Sequence, residues 1–389
     1  MVLLCLVVTP HVHADHQGPW TRHTIDNSSE GADGVRLADA DGDGLMDIVT
    51  GWEEGGIVRL YLNPGPEKAK ETWPAVTVGN VKNVEDAVMA DLDGDGAIDV
   101  VSSCEGKTKS MYVHWGPKDQ AKLLDEDAWA TEAIPATSGL QQWMYCLPMQ
   151  IDGEHGIDLF VGSKGKGAAV GWLSSPEKPR DLGDWTYHKL RDAGWIMSIE
   201  PIGTEPPSVL VTDRAGDERG IYRLGYHSNR WSTFEIEMGE AEYMFAAPQL
   251  HEPNAWITAT RDGELRLYTH HVRSRAYRHI TTIAVPNPFG VQRGKAVAMG
   301  DIDGDGQIDI VATHNTQRQA DKPAVSWIRN DPSKRHDDRA AYDISGLEGK
   351  KFDRVELIDL DGDGDLDVLT CEEVDQLGVV WYENPYANE

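Results

Sequence analysis

LADADGDGLMDIVTG at residues 37–51 decides the fold, because the chain repeats it as VMADLDGDGAIDVVSS at 88–103, VAMGDIDGDGQIDIVAT at 297–313 and LIDLDGDGDLDVLTC at 357–371. A recurring phrase marks a repeat architecture and is read before any single element is assigned. The first aspartates give origins at Asp39, Asp91, Asp301 and Asp359. Three worn copies fill the gap in the middle, each recognised by an apolar run: IDLFVG after Gln150, SVLVTD after Glu200 and AWITAT after Ala247. The seven origins are 52, 59, 50, 47, 54 and 58 residues apart, so seven units occupy residues 15–389 as one domain.

Each unit reads as four short strands, since its apolar stretches are brief, rich in Val, Ile, Tyr and Trp, and bounded by turn residues. In the first unit these are GVRLA, MDIVTG, IVRLYLN and WPAVTV. The fourth strand carries Trp or Tyr shortly before an aliphatic residue, as in TWPAVTV, AWATEAI, DWTYHKL, RWSTFEI, AYRHITTI and AAYDISG. The seventh unit ends at VVWYENP without such a strand, and a spare copy, PWTRHTI, precedes the first unit. A linear stack has no use for that offset, whereas a ring whose last sheet combines both ends of the chain requires it. The expectation is an all-β, antiparallel, seven-bladed β-propeller with blade 7 closed by the N-terminal strand.

D-x-D-G-D-G-x-x-D places carboxylates at positions 1, 3, 5 and 9 of a tight loop, with a backbone carbonyl at 7 and glycines where the chain must turn. All these donors are hard oxygens, which selects calcium and argues against zinc. The expected ligands are Asp39, Asp41, Asp43 and Asp47; Asp91, Asp93, Asp95 and Asp99; Asp301, Asp303, Asp305 and Asp309; and Asp359, Asp361, Asp363 and Asp367. The third copy has a reduced set of Asp152, Glu154 and Asp158, with Gln150 in first place. Such ions would pin the turn between the first two strands of a blade.

The chain has 389 residues, with 36 Lys and Arg against 65 Asp and Glu, a net charge of −29. That balance excludes a protein built to coat nucleic acid, and no stretch of the repeats is apolar enough for membrane insertion. Four calcium ions would bring the charge to −21. MVLLCLVVTPHVHA, residues 1–14, reads as a signal peptide cleaved before Asp15, which predicts a secreted or periplasmic protein. The remaining cysteines, Cys104, Cys146 and Cys371, are too few for a disulfide framework.

The four loops, the strand after each and the count of seven units resemble the FG-GAP/VCBS repeat family, which includes the propeller head of integrin α chains. That resemblance covers nearly all of residues 15–389 and implies the propeller and its calcium. VGWLSSPEKPRDLGDWTYHKL, Val170 to Leu190, also resembles the propeller part of the aldos-2-ulose dehydratases, which implies chemistry on a sugar.

With calcium at one end of the strands, the second-to-third turns emerge at the other, around the central funnel. By blade they supply Glu53 and Glu54; Glu105 and Lys107; Lys164 and Lys166; Asp213 and Arg214; Arg261 and Asp262; His314 and Arg318; and Glu372 and Glu373. Residues entering the first strands are Asp33, Glu85, Asp86 and Asp353 on the acidic side, with Gln142, Trp143, Trp195, Tyr243 and Lys295 on the other. Blades 7, 1 and 2 are therefore acidic, while blades 3 to 6 bring most of the cations. Arg and Lys with aromatic rings suit an acidic sugar, and the acidic half suits a further divalent ion or a partner's cation. The leading expectation is binding of an extracellular, anionic glycan. The alternatives are a sugar or polysaccharide lyase or dehydratase and a protein-binding adhesion module. Elimination would draw its base from Tyr243 or His314 and its charge stabilisers from Lys164, Arg214 and Arg261.

Overall fold

A computed structural model describes residues 18–204, 206–239, 241–249, 252–269, 283–285, 289–334 and 339–386. The expected signal peptide and most of the AYRHITTI strand lie outside them. The described residues form seven four-stranded antiparallel sheets, six of them built from consecutive strands. The first blade runs Ala32–Ala38, Asp47–Trp52, Ile57–Tyr61 and Ala75–Gly79. Asp47–Trp52 is buried along its whole length, as are its counterparts Asp99–Cys104 and Asp367–Glu372, because a second strand has sheet on both edges and a neighbouring blade on each face. The outer strand Ala130–Ala133 is exposed throughout.

The seventh sheet runs Thr21–Asp26, Gly378–Glu383, Asp367–Glu372, Phe352–Ile358, so the N-terminal strand closes the ring as its spare position requires. Thr21 lies opposite Glu383 and Thr24 opposite Val380. His23 Nε2 is 2.8 Å from a Glu383 carboxylate oxygen, and its ring lies 4.5 Å from that of Trp381. The Trp20 amide donates to the Ile344 carbonyl at 2.9 Å, tying the closing strand to blade 6.

Blades pack through small residues. The twelfth residue after each origin is Gly51, Ser103, Gly162, Thr212, Ala259, Thr313 or Cys371. A Cβ on Gly51 would come within 2.5 Å of Val84 in the next blade, and one on Gly162 within 2.6 Å of Ile196. The three described cysteines are buried and free.

Two worn copies differ from their expected form. Glu200 and Ala247 do not begin loops; they lie inside the strands Ile196–Thr204 and Tyr243–Gln249. Glu200 pairs with Leu210 and Ala247 with Ile257, so strand pairing continues where the loop was expected. The apolar runs SVLVTD and AWITAT keep their place as second strands.

Every first strand carries a register shift near its beginning. A β-bulge re-aims a side chain, and here one residue at or beside each shift turns into the central funnel. These are Asp33, Glu85, Met144 and Met197, then Met244, Lys295 and Asp353.

Candidate functional site

The aspartate loops hold themselves in shape through their own carboxylates. Asp39 accepts the amides of Gly42 and Gly44 at 2.7 and 3.1 Å, Asp41 that of Asp43 at 3.1 Å, and Asp43 that of Leu45 at 2.8 Å. Gly42 and Gly44 sit at φ of 80° and 90°, which a side chain would resist. Carboxylate oxygens of Asp39, Asp41 and Asp43 lie within 4.8 Å of one another, as do those of Asp91, Asp93 and Asp99 and those of Asp301, Asp303 and Asp309. Asp301 Oδ1 and Asp361 Oδ1 are buried without a hydrogen-bond donor. Hard oxygens left unsatisfied in a closed loop fit a calcium ion, which would neutralise the carboxylates and brace the turn.

The ninth position has a further task. Asp47 accepts the amides of Ala40 and Asn63 at 2.7 and 2.8 Å, stapling the loop to the end of the third strand. Asp99 does the same with Leu92 and Gly116, Asp309 with Ile302 and Asn330, and Asp367 with Leu360 and Asn384. Asp158 keeps this staple in the reduced third loop, through Ile151 and Ser175 at 2.8 and 2.9 Å. In the last loop Asp365, at the position read as a carbonyl donor, buries both carboxylate oxygens without a donor. Burial, then Asp363 and Asp367, pushes its carboxyl up to about 8. Three loops also meet cations: Lys70 lies 3.0 Å from Asp361, Arg180 pairs with Asp93 and Asp95, and Arg329 lies 2.7 Å from Asp303.

At the opposite end of the strands the funnel is a cavity of about 270 Å³. The fourteenth residue after each origin faces it: Glu53, Glu105 and Lys164, then Arg214, Arg261 and Asn315. Glu373 holds the same position in blade 7, with a carboxylate oxygen within 4.8 Å of those of Glu53 and Glu54. The thirteenth residue is buried in every blade, and this separates the expected site residues. Lys164, Arg214 and Arg261 line the cavity. His314, a thirteenth residue, is 3 % exposed, outside the lining, with its imidazole held down to about 4 by burial. Asn315 faces the funnel in its place. Asp213 and Glu372 turn inward to accept backbone amides, among them those of Trp195 and Lys351. Tyr243 is fully buried beside Trp256 and Tyr268, because the residue before the bulge points between blades, as Trp143 does.

Tyr145, Arg293 and Lys351 are among the lining residues that had no place in the reading of the sequence. The acidic wall comprises Asp33, Glu53, Glu85, Glu105 and Asp353. Lys164 lies 2.6 Å from Glu85 and also pairs with Glu105; Lys295 and Lys351 both pair with Asp353, and Lys351 pairs with Glu373. Burial, then Asp353 and Glu85, holds the Asp33 carboxyl well above the carboxylate range, and burial, then Glu85 and Glu54, pushes Glu53 up to about 7. Asp353 is held low despite its burial by Lys295 and Lys351.

The facing wall holds Arg214, Arg261 and Arg293. Arg261 pairs with Glu242 at 2.7 Å, whereas Arg214 and Arg293 have no carboxylate partner among the described residues. The Arg214 guanidinium lies 3.5 Å from the centre of the Trp195 ring, and Lys164 Nζ 4.6 Å from it, so Trp195 orients cations. Burial and then Arg261 lower the pKa of Arg214; burial, Arg261 and Arg318 lower that of Arg293. Tyr145 stands on the floor, its hydroxyl held protonated by burial and by Asp33, Glu85 and Asp353, so it serves as a donor.

Residues 39–102 and 301–370 match the family model described as FG-GAP-like repeat. No curated protein matches the sequence. Solved structures with the same fold include YCF48 from Cyanidioschyzon merolae, with TM-score 0.56, 12 % identity, and 94 % of this chain and 98 % of that one covered. Another is a putative 6-phosphogluconolactonase from Bacteroides uniformis, with TM-score 0.53, 11 % identity, and coverage of 93 % and 94 %. At these identities the likeness concerns the fold. Among the described residues, no helix is long and apolar enough to cross a membrane.

Proposed function

We propose that this seven-bladed propeller of FG-GAP-like repeats is a calcium-braced protein of the cell exterior or periplasm that binds an anionic glycan in its funnel. The observation that carries the reading is the pair Arg214 and Arg293, which line the cavity without a carboxylate partner among the described residues in a chain of net charge −29. Cations that line one cavity without a carboxylate partner are a standing attraction for a carboxylate or sulfate, to which guanidinium groups bind bidentately. Bracing by the aspartate loops suits an environment rich in calcium, where such oxygen sites fill. The funnel favours binding over elimination, because Tyr243 and His314 are buried outside its lining and Tyr145 keeps its proton.

Calorimetry against uronate, sulfated and neutral oligosaccharides tests this. The expected result is saturable binding of the anionic set alone, weakened about tenfold or more by Arg214→Ala and by Arg293→Ala and reduced by salt. Ultraviolet absorbance from a new conjugated double bond would instead establish a carbon–oxygen lyase. Neither binding nor turnover across the panel would leave the adhesion module.

A further inference from the structure

We propose that the acidic wall of the funnel is a site for one oxygen-preferring divalent cation, held by Asp33, Glu53 and Glu85 and separate from the aspartate loops at the other end of the strands. One carboxylate oxygen from each of the three lies within 4.8 Å of the other two, the spacing of donors around a common ion. Two adjacent blades build this convergence: Asp33 and Glu85 at equivalent bulges of blades 1 and 2, and Glu53 at the second-to-third turn of blade 1.

The lysines nearby are already committed. Lys164 is shared by Glu85 and Glu105, and Lys351 by Asp353 and Glu373, with Lys295 also on Asp353. Asp33 and Glu53 have no basic partner among the described residues. Asp33 is only 7 % exposed and lines the cavity, yet its carboxylate accepts no hydrogen bond from the described residues. A second, uncharged group supports the same site: Tyr145 is 6 % exposed and lines the same cavity, its hydroxyl feels the charges of Asp33 and Glu85, and it has no hydrogen-bond partner among the described residues. A buried carboxylate without donors persists when a cation completes its surroundings. The donors are carboxylates with no His or Cys among them, which selects calcium, magnesium or manganese. The ion would face Arg214 and Arg293, giving an anionic ligand two positive poles; that consequence rests on the glycan reading, and the cation site does not.

Equilibrium dialysis of the full chain against Ca²⁺ and against Mn²⁺ counts the ions bound. Asp33→Asn and Glu53→Gln, each nearly isosteric, should each lose one ion per chain or weaken one by at least tenfold. A single cooperative melting transition in excess calcium should show that each variant is folded. Asp41→Asn removes a different ion, so Asp33→Asn combined with it should lose two. Wild-type count and affinity in both Asp33→Asn and Glu53→Gln overturn the proposal; Glu53, partly exposed on a turn, keeps the test open if Asp33→Asn fails to fold. Loss of the ion without glycan binding by any form sustains the cation and removes the glycan reading, and glycan binding with an unchanged count does the reverse.

Discussion

His114 in blade 2 has both ring nitrogens engaged, Nε2 with the Ser102 hydroxyl at 2.9 Å and Nδ1 with that of Thr131 at 2.8 Å. Gly79 makes room for it: a Cβ there would lie 2.1 Å from Nδ1. Full burial holds the imidazole down to about 3. Above the unfolded value of about 6.5 neither state is charged and the contribution to stability is complete. As pH falls from there toward 3 the unfolded chain takes up a proton that the native state refuses, so stability drops by up to about 1.4 kcal/mol per pH unit. His314, held down to about 4, acts in the same direction. Denaturant midpoints at pH 6.5 and 4.5, in saturating calcium, should therefore separate less in His114→Gln than in the wild type. An unchanged separation would mean that His114 is charged in the native state. At the same scale, the thirteenth and fourteenth residues of each repeat stand side by side at one turn, as His314 and Asn315 do, yet only the fourteenth meets the funnel.

At the scale of the element, the loop after each first strand is held by two devices that the aspartate phrase combines. The carboxylates at its first, third and fifth positions are calcium-type donors, while the ninth ties loop to blade through two backbone amides. The third loop separates the two, since Asp158 keeps its staple where Gln150 has replaced the leading aspartate. Asp158→Ala would leave the amides of Ile151 and Ser175 without acceptors in a buried place, at about 1–3 kcal/mol each. Its melting temperature should fall by several degrees in calcium, and chelator should lower it further by the same increment as in the wild type. A melting curve like that of the wild type would show that the staple does not hold the loop. Blades 4 and 5 have lost phrase and loop together and continue their strand pairing instead, with Ile196–Thr204 and Glu252–Thr260 each nine residues long. The apolar run that followed the loop remained readable because a second strand is buried whatever connects it.

For the whole molecule, closure is the cooperative event, since Thr21–Asp26 supplies the outer strand of blade 7 and Trp20 ties it to blade 6. Deleting residues 15–26 should expose the edge of Gly378–Glu383 and replace a single sharp unfolding transition with a broad one accompanied by aggregation. A deletion variant that melts as the full chain does would mean that the strand is dispensable. The blade count, the closing strand and the hard-oxygen character of the loops were determined by the sequence alone, because each depends on residue spacing along the chain or on a phrase that repeats. Strand alternation likewise brought Lys164, Arg214 and Arg261 to the correct turn. Only the tertiary structure decided which side chain at that turn enters the funnel, which carboxylates already own a lysine, and that Tyr145, Arg293 and Lys351 join them. Those outcomes depend on a bulge that re-aims one residue per blade and on contacts between blades roughly fifty or more residues apart, which no local pattern encodes.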